Sequence, residues 1–181
     1  MLSEVTLRPA TIDDALFIAR GFHMAMLYDE APEEHTQTFA REICMREDVL
    51  YSWKNTTIAV IADKPVAMIT AYEGRNYREM RLRTMQIVKE RLGVEFPGME
   101  DEALPGEYYL DSLAVWPEYR QQGLGRMLLK HAINEGKALG LVVTLAVDPA
   151  NPRAQQLYES LGFKPAGELF IFGHTYRKMK I

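Results

Sequence analysis

The sequence predicts an α/β fold of the α+β type, with a mixed, mostly antiparallel twisted sheet of about six to seven strands and helices on both faces. Three observations lead to this prediction. A β-prone run opens the chain and precedes two helical patterns. Two further β-prone runs flank a short turn sequence, which indicates an antiparallel hairpin. Later, a strand, a helix and a strand follow one another, which indicates a parallel crossover.

The first strand and the first helix are delimited by turn and capping residues. Residues 5–8 are β-prone, and a proline ends their alternation. Thr11 and Asp14 have the spacing of a capping box, so a helix should begin there. Apolar residues then recur at helical spacing over residues 16–26, and a second helix is expected to end near Arg46.

The next pair of elements is a predicted hairpin. Two β-prone runs cover residues 57–62 and 66–72. Asp63, Lys64 and Pro65 lie between them and form a short turn sequence. We therefore expect the two runs to pair as antiparallel neighbours.

A basic, helix-prone stretch follows the hairpin and leads into an acidic loop with two prolines. Its basic residues are Arg75, Arg78, Arg81, Arg83, Lys89 and Arg91. The sequence thus predicts one domain over residues 1–181, with a helical insertion at about residues 75–106.

The second half of the chain has the clearest order of elements. Residues 107–115 predict a strand, residues 123–139 a helix and residues 141–147 another strand, which makes a right-handed β-α-β crossover. Residues 152–160 then predict a helix with a proline in its first turn, and residues 163–180 predict two final strands.

Composition excludes several classes of protein. At 181 residues the chain can bury a substantial core without disulfides. A net charge of -4 argues against general nucleic-acid binding. No segment approaches the roughly 20 apolar residues that span a bilayer, so we expect a cytoplasmic protein without membrane association. The single cysteine, Cys44, fits a reducing compartment, and its helix-like setting favours a small buried hydrophobe over a nucleophile.

No metal site is predicted. The four histidines, His23, His35, His131 and His174, have no metal-like spacing with one another or with Cys44.

A glycine-bearing helix start follows the strand at residues 107–115. Gly123 and Gly125 lack a Cβ, so phosphate oxygens can approach the backbone, where unpaired N–H groups and the helix dipole favour negative charge. Arg120 and Arg126 can add charge-assisted contacts. By itself, this pattern is also compatible with a plain strand-to-helix turn.

The sequence around the turn identifies a family resemblance. Arg120-x-x-Gly123-x-Gly125, directly after the strand end 113–117, closely resembles the acyl-CoA pyrophosphate signature of the GNAT superfamily of N-acyltransferases. A second block, residues 151–163, is similar to the other cofactor-side motif of that family. The resemblance is strong from about residue 107 onward and weaker before it. It has no counterpart for the segment 75–106.

The resemblance implies acetyl-CoA as the acyl-donor cosubstrate. The pantetheine arm would bond the backbone of the strand, and the amides of the turn would hold the pyrophosphate. The positions that match cofactor contacts are Leu113, Ala114, Val115, Arg120, Gln121, Gln122, Gly123, Leu124, Gly125, Arg126, Asn151 and Tyr158.

Two residues are candidates for catalysis. Tyr158 matches the usual general acid of the family, which would protonate the departing CoA thiolate, and a core tyrosine is the alternative. Asp111 is a candidate base for the amine, because a primary amine must lose a proton before it attacks. A structural carboxylate at Asp111 is equally compatible, and Glu107 or an ordered water are the other candidates for the base.

The implied function is transfer of an acetyl group from acetyl-CoA to a primary amine. A catalytically silent acyl-CoA-binding or sensor module is the alternative, and retained Tyr158 and Asp111 favour the enzyme. The acceptor, a small molecule or a peptide, is not identified by the fold. The sequence leaves the oligomeric state open, a homodimer included.

Acidic residues form two groups that would favour a cationic acceptor if either group faced the cleft. The first group is Asp29, Glu30, Glu33 and Glu34. The second group is Glu95, Glu100, Asp101, Glu102 and Glu107. A solvated surface, or pairing with the arginines of the insertion, is the alternative interpretation of these residues.

Overall fold

The computed structural model describes residues 4–26 and 34–181. Its helices are α1 (Ala15–Ala25), α2 (Glu34–Cys44), α3 (Tyr77–Leu92), α4 (Leu124–Ala138) and α5 (Pro152–Ser160). Its strands are β1 (Val5–Pro9), β2 (Thr56–Ile61), β3 (Lys64–Glu73), β4 (Glu107–Val115), β5 (Val142–Val147), β6 (Lys164–Ile171) and β7 (His174–Lys180).

The strands form one seven-stranded sheet in the order β1-β2-β3-β4-β5-β7-β6. The pairs β1–β2, β2–β3, β5–β7 and β6–β7 are antiparallel, and β4–β5 is parallel. The predicted mixed, mostly antiparallel sheet is therefore confirmed. The parallel pair is the one that the predicted β-α-β crossover requires.

The chain divides into two compact units. The first comprises the chain up to Ala71 together with Ser112–His131, and the second comprises Tyr72–Asp111 and Ala132–Ile181. The segment 75–106, predicted to be an insertion, belongs to the second unit. Its description as an insertion in a single domain stays a prediction.

In the first unit, α1 begins at the predicted capping residues. The Thr11 backbone N–H donates to Asp14 Oδ2 at 2.8 Å, and the Arg8 guanidinium donates to the same carboxylate at 2.7 Å. Burial disfavours the charge of Asp14, but the bonds from Arg8 and Thr11 outweigh burial and lower the pKa of this carboxyl. The helix then buries Ile18 and Ala19 in the core of the unit.

Cys44 belongs to the same core and is 2% exposed. Burial raises the pKa of its thiol to about 12, so the reactive thiolate is scarce at neutral pH. The prediction of a small buried hydrophobe at this position is confirmed.

The first hairpin turn begins one residue earlier than predicted and is one residue shorter. Ala62 and Asp63 both have left-handed φ values, +47° and +62°, and connect β2 to β3 as a two-residue turn. Such a turn matches the twist of the strands that it joins. Lys64 and Pro65 are therefore strand residues, and Pro65 stands opposite Val60 where the register shifts.

In the second unit, the loop after α3 is fastened to its surroundings. Arg78 and Arg81 both bond the Asp101 carboxylate at 2.7 Å, and the Glu100 backbone N–H donates to Phe170 O at 2.9 Å. Gly74 packs so tightly against this loop that an added Cβ would lie 2.0 Å from Leu104 O. The loop is thus held against β6 and the end of β3.

Gly74→Ala is expected to lower the free energy of unfolding by about 1–3 kcal/mol, because backbone atoms would have to move away from the new methyl group. Urea unfolding followed by circular dichroism measures this change. Gly125→Ala is the matched control, since its Cβ would be in ordinary contact at 3.6 Å from Leu113. Equal stability losses in both variants would contradict the prediction.

Candidate functional site

The predicted phosphate-binding turn lies in the first unit and starts from an anchored loop. The Trp116 backbone N–H donates to Val66 O at 3.0 Å. The Trp116 ring stacks on Phe17, with ring centroids 3.9 Å apart and planes within 9° of parallel. Because backbone and ring are both held, the turn leaves β4 in a fixed direction.

Side chains of the turn bond its own backbone. Arg120 Nε donates to Val115 O at 3.1 Å, and Gln122 Nε2 donates to Glu118 O at 3.3 Å. The Arg120 bond uses only Nε, so its terminal nitrogens lie outside this contact. Gln121 has a φ of +63°, a rare left-handed conformation for a residue with a side chain.

The two glycines of the turn have different roles. Gly123 has a φ of +82°, and a Cβ built on it would meet no atom within 4 Å. It therefore supplies a left-handed backbone beside open space. Gly125 lies inside α4, where an added Cβ would stand 3.6 Å from Leu113 and 3.7 Å from Val115.

The start of α4 offers backbone amides to an anion. The bond from Met127 N to Gly123 O, at 3.0 Å, begins the hydrogen-bond ladder of the helix. By helix geometry, the N–H groups of Leu124 and Gly125 have no acceptor within the helix and point along its axis. Leu124 is buried, while the peptide of Gly123 borders open space, which fits a phosphate group.

The strand residues before the turn are held by their side chains. Ala114 is 4% exposed and belongs to the core of the first unit, and Leu113 and Val115 are half-buried. These three residues were predicted to bind the pantetheine arm through their backbone. Arg126 follows Gly125 in the first turn of α4.

In the second unit, the predicted cofactor residue Asn151 caps a helix. Its side-chain oxygen accepts from the Ala154 backbone N–H at 3.1 Å, and Pro152 stands in the first turn of α5. The Asn151 oxygen thus helps to start α5.

Tyr158 lies on α5 and is half-buried. Its ring meets Phe163 edge to face, with centroids 6.0 Å apart. Burial raises the pKa of the Tyr158 hydroxyl to about 12. The hydroxyl is therefore protonated at neutral pH, as a proton donor must be.

Asp111 lies on β4 within a group of buried tyrosines. The Tyr72 hydroxyl donates to Asp111 Oδ2 at 2.6 Å. Burial and then the charge of Asp111 raise the pKa of Tyr72 well above its usual value. Tyr72 therefore stays protonated and donates a short hydrogen bond to the Asp111 carboxylate.

Glu107, the other candidate base on β4, is committed to a structural contact. Lys178 Nζ bonds Glu107 Oε2 at 2.8 Å, and the Leu104 backbone N–H and the Thr144 hydroxyl donate to the same oxygen at 3.0 and 3.3 Å. Three donors on one oxygen hold this carboxylate in place.

Glu102 was not predicted as a site residue, although it is the most buried of the acidic residues in its loop. It is 5% exposed, and its carboxylate accepts from Tyr109 OH at 2.8 Å and from Tyr77 OH at 3.3 Å. Burial, followed by the charge of Asp111, raises the pKa of Glu102 to about 7. No local sequence pattern distinguishes it from its solvated neighbours.

Most of the acidic residues predicted to attract a cationic acceptor either lie outside the described residues or make other contacts. Asp29, Glu30 and Glu33 lie outside the described residues. Asp101 pairs with Arg78 and Arg81 of the insertion. Lys89 pairs with Glu95 at 2.7 Å, and Lys178 pairs with Glu107 at 2.8 Å. Glu100 accepts from the Phe170 backbone N–H at 2.6 Å, and Glu102 accepts from tyrosine hydroxyls. Pairing with the arginines of the insertion, the alternative interpretation, is thus observed for Asp101, whereas Glu95 and Glu107 pair with lysines.

Within residues 4–26 and 34–181, no three cysteine, histidine or carboxylate side chains form a group that could hold a metal ion. None of the helices in this part of the chain combines the length and the apolar character needed to cross a membrane.

Comparisons with known proteins agree with the family resemblance that the sequence of the turn indicated. Residues 23–163 match the family model described as Acetyltransferase (GNAT) family. The chain is 48% identical over 61 residues to ribosomal protein bS18-alanine N-acetyltransferase of Salmonella typhimurium, covering 33% of this chain and 41% of that relative. It is 45% identical over 69 residues to mycothiol acetyltransferase of Kocuria rhizophila, covering 38% of this chain and 22% of the relative.

Similarity to a solved structure extends over nearly the whole chain. The crystal structure of an acetyltransferase superposes with a TM-score of 0.76 at 28% identity and covers 97% of each chain. With both curated relatives, the alignment covers less than half of the relative's length. The family model, in contrast, covers well over half of this chain. The strand, the left-handed glycine turn and the family match lead to one conclusion: this chain belongs to the GNAT family of acetyltransferases.

Proposed function

We propose that the chain transfers the acetyl group of acetyl-CoA to a primary amine, on a small molecule or a peptide. The observation that carries this proposal is the anchored turn at Gly123, where left-handed backbone borders open space at the start of a 15-residue helix. That geometry suits a pyrophosphate. Unpaired Cys44 fits the reducing cytoplasm, where we place the reaction.

The turn would hold the acyl donor through its phosphates. Amides at the start of α4 would bond the pyrophosphate oxygens, and the arginine side chains at 120 and 126 would add charge. Backbone groups of Leu113, Ala114 and Val115 would bond the pantetheine arm as an added strand does. These contacts bind the donor without taking part in bond making.

Asp111 is the proposed base of the reaction. A primary ammonium gives one proton to the carboxylate, and the freed lone pair attacks the thioester carbonyl carbon. The Tyr72 hydroxyl, 2.6 Å from Asp111, orients the carboxylate for this transfer. Glu107 is a poorer candidate, because three donors including Lys178 already bond one of its oxygens.

Tyr158 is the proposed donor to the leaving group. Collapse of the tetrahedral intermediate breaks the carbon–sulfur bond and forms the amide. Tyr158 donates a hydrogen bond to the departing sulfur, and the second proton of the attacking nitrogen passes through this hydroxyl to the sulfur. With its pKa raised to about 12 by burial, the hydroxyl enters the reaction protonated. The products are the N-acetyl amine, free CoA thiol and one proton released to solvent.

Thiol release tests the proposal directly. Acetyl-CoA is incubated with the protein and a panel of small primary amines, amino acids and peptides, and free CoA thiol is titrated with time. For at least one acceptor of the panel, we expect release of the thiol that requires both the protein and the acceptor. Tight acetyl-CoA binding in calorimetry without release for any acceptor would instead identify a silent acyl-CoA-binding module.

Gly123→Val is expected to raise the acetyl-CoA dissociation constant by roughly tenfold or more, which corresponds to about 1.4 kcal/mol of binding free energy. A branched side chain would fill the open space at the peptide and strain its left-handed backbone. Isothermal titration calorimetry measures the constant.

Gly140→Val is the matched control for this experiment. Gly140 also has a left-handed φ, +72°, with no atom within 4 Å of its would-be Cβ, but it follows the end of α4. Both variants carry comparable backbone strain. Unchanged affinity in Gly123→Val, or an equal loss in Gly140→Val, would contradict the proposed cradle.

A further inference from the structure

We propose that Glu102 and Asp111 form a coupled carboxylate pair held by buried tyrosines, in which Glu102 is a positioning residue that tunes Asp111 as the base. This inference rests on the proposed function for the role of Asp111. The pair itself rests on contacts within the second unit. Neither residue type nor spacing in the sequence links the two positions.

A chain of tyrosines connects the two carboxylates. Tyr72 donates to Asp111 at 2.6 Å, and Tyr109 donates to Glu102 at 2.8 Å. The rings of Tyr72 and Tyr109 are themselves in contact, with centroids 5.9 Å apart. Both tyrosines are almost fully buried, at 4% and 2% exposure. The two acids are therefore joined through one cluster of buried tyrosines, with Glu102 itself buried and Asp111 half-buried.

Groups on α3 and β7 also contact or act on Glu102. From α3, Tyr77 donates to it at 3.3 Å, and the charge of Arg81 favours its ionised form. From β7, Lys178 bonds the Glu102 backbone oxygen at 3.2 Å, while the ammonium also pairs with Glu107. The neighbouring Asp101 is paired with Arg81.

One proton is therefore shared unequally by the pair. Two carboxylates in one cluster repel each other, so ionising the second costs more free energy than ionising the first. The proton stays on Glu102, which is more buried, while half-buried Asp111 ionises first. The pKa of about 7 at Glu102, raised by burial and then by Asp111, agrees with this distribution.

The protonation state of Glu102 affects the proton affinity of Asp111. Below about pH 7, Glu102 is neutral, and Asp111 is an ionised carboxylate beside a neutral acid. Above that pH, Glu102 loses its proton, and the second negative charge increases the proton affinity of Asp111. A base with greater proton affinity takes the ammonium proton more readily, so the rate should rise in a step near neutral pH.

Carbon-detected NMR of the side-chain carboxyls tests the pair without any acyl transfer. In the ¹³C-labelled parent, the Glu102 carboxyl carbon should titrate near pH 7, and the Asp111 carbon should show a second, smaller step at the same pH. In Asp111→Asn, the Glu102 titration should move to lower pH by about 0.5 unit or more. In Glu102→Gln, the second step of Asp111 should vanish.

Tyr109→Phe serves as an independent variant. Removing the hydroxyl that donates to Glu102 should move its titration to higher pH, because the ionised form loses a hydrogen bond. Tyr108→Phe is the matched control, since its hydroxyl bonds Glu135 instead, and it should leave the Glu102 titration unchanged. A Glu102 carboxyl that titrates near pH 4.5, its ordinary value, or an Asp111→Asn variant with an unmoved Glu102, would overturn the pair.

Kinetics test the tuning role. The pH profile of kcat/KM in the parent should contain a step near pH 7 that Glu102→Gln lacks, while the two proteins agree within about twofold below pH 6. Coupled titration without such a step would overturn the tuning role. Absence of thiol release with every acceptor, together with coupled titration, would refute the proposed function and leave the carboxylate pair in place.

Discussion

Tyr158→Phe should lower kcat by about 10²-fold or more while leaving acetyl-CoA affinity nearly unchanged, because the variant loses the proton donor and keeps the ring. The phenylalanine ring can still meet Phe163 edge to face, so α5 should retain its packing. Steady-state kinetics at saturating acetyl-CoA and acceptor, together with calorimetry of acetyl-CoA binding, separate the two effects.

The chemistry of the leaving group explains the expected size. A thiol with a pKa of about 8.5 is a stronger acid than Tyr158, so transfer of the proton to a free thiolate would be uphill. The hydroxyl therefore acts by hydrogen bonding the charge that develops on sulfur, an interaction that strengthens as the bond breaks. Acceptors whose amine is a poorer nucleophile should depend most on the Tyr158 hydroxyl.

Tyr108→Phe is the control for a lost tyrosine hydroxyl in the same unit. Its hydroxyl bonds Glu135 at 3.2 Å, so its loss should affect stability with little effect on kcat. Full activity of Tyr158→Phe at saturating substrates would remove this residue from the mechanism. Equal rate losses in both variants would point to a packing effect.

Asp111→Asn is expected to lower kcat/KM for the acceptor by about 10²- to 10⁴-fold at neutral pH, because an amide cannot accept the ammonium proton. The loss should shrink as pH rises, since the free amine becomes more abundant and needs no base. A pH–rate profile from about pH 6 to 10 measures both effects.

Asp63→Asn, in the exposed first hairpin turn, is the control for a lost carboxylate. It should leave the profile of the parent unchanged. A uniform rate loss for Asp111→Asn at every pH, accompanied by a lower unfolding temperature, would identify Asp111 as a structural carboxylate. In that case, an ordered water would become the favoured base.

The course of the chain was largely predictable because its secondary structure depends on near neighbours. β4 was predicted over the same residues that the structure gives, and α4 within a residue at each end. The position of the first hairpin turn was not predictable from near neighbours. The turn at Ala62 and Asp63 depends on strand twist and register, and no proline or glycine marks those two positions.

Predictions about the site also depended on whether the residues involved are close together in the sequence. The glycine turn was predicted because its residues lie in a short stretch of sequence. The contacts of Glu102 and Glu107 were not predicted, because they depend on residues distant in the chain. Glu107 meets Lys178 across 71 positions, and Glu102 meets Tyr77 across 25.

The sequence by itself determined the order of strands and helices along the chain, the glycine-bearing helix start and the family. Each of these is encoded within a few residues through backbone preference and periodicity. Only the tertiary structure decided which acids are solvated, paired or buried. Burial and proton affinity depend on neighbours that the fold brings together, so Glu102, one acid among four in its loop, acquired a buried tyrosine environment that no local pattern indicated.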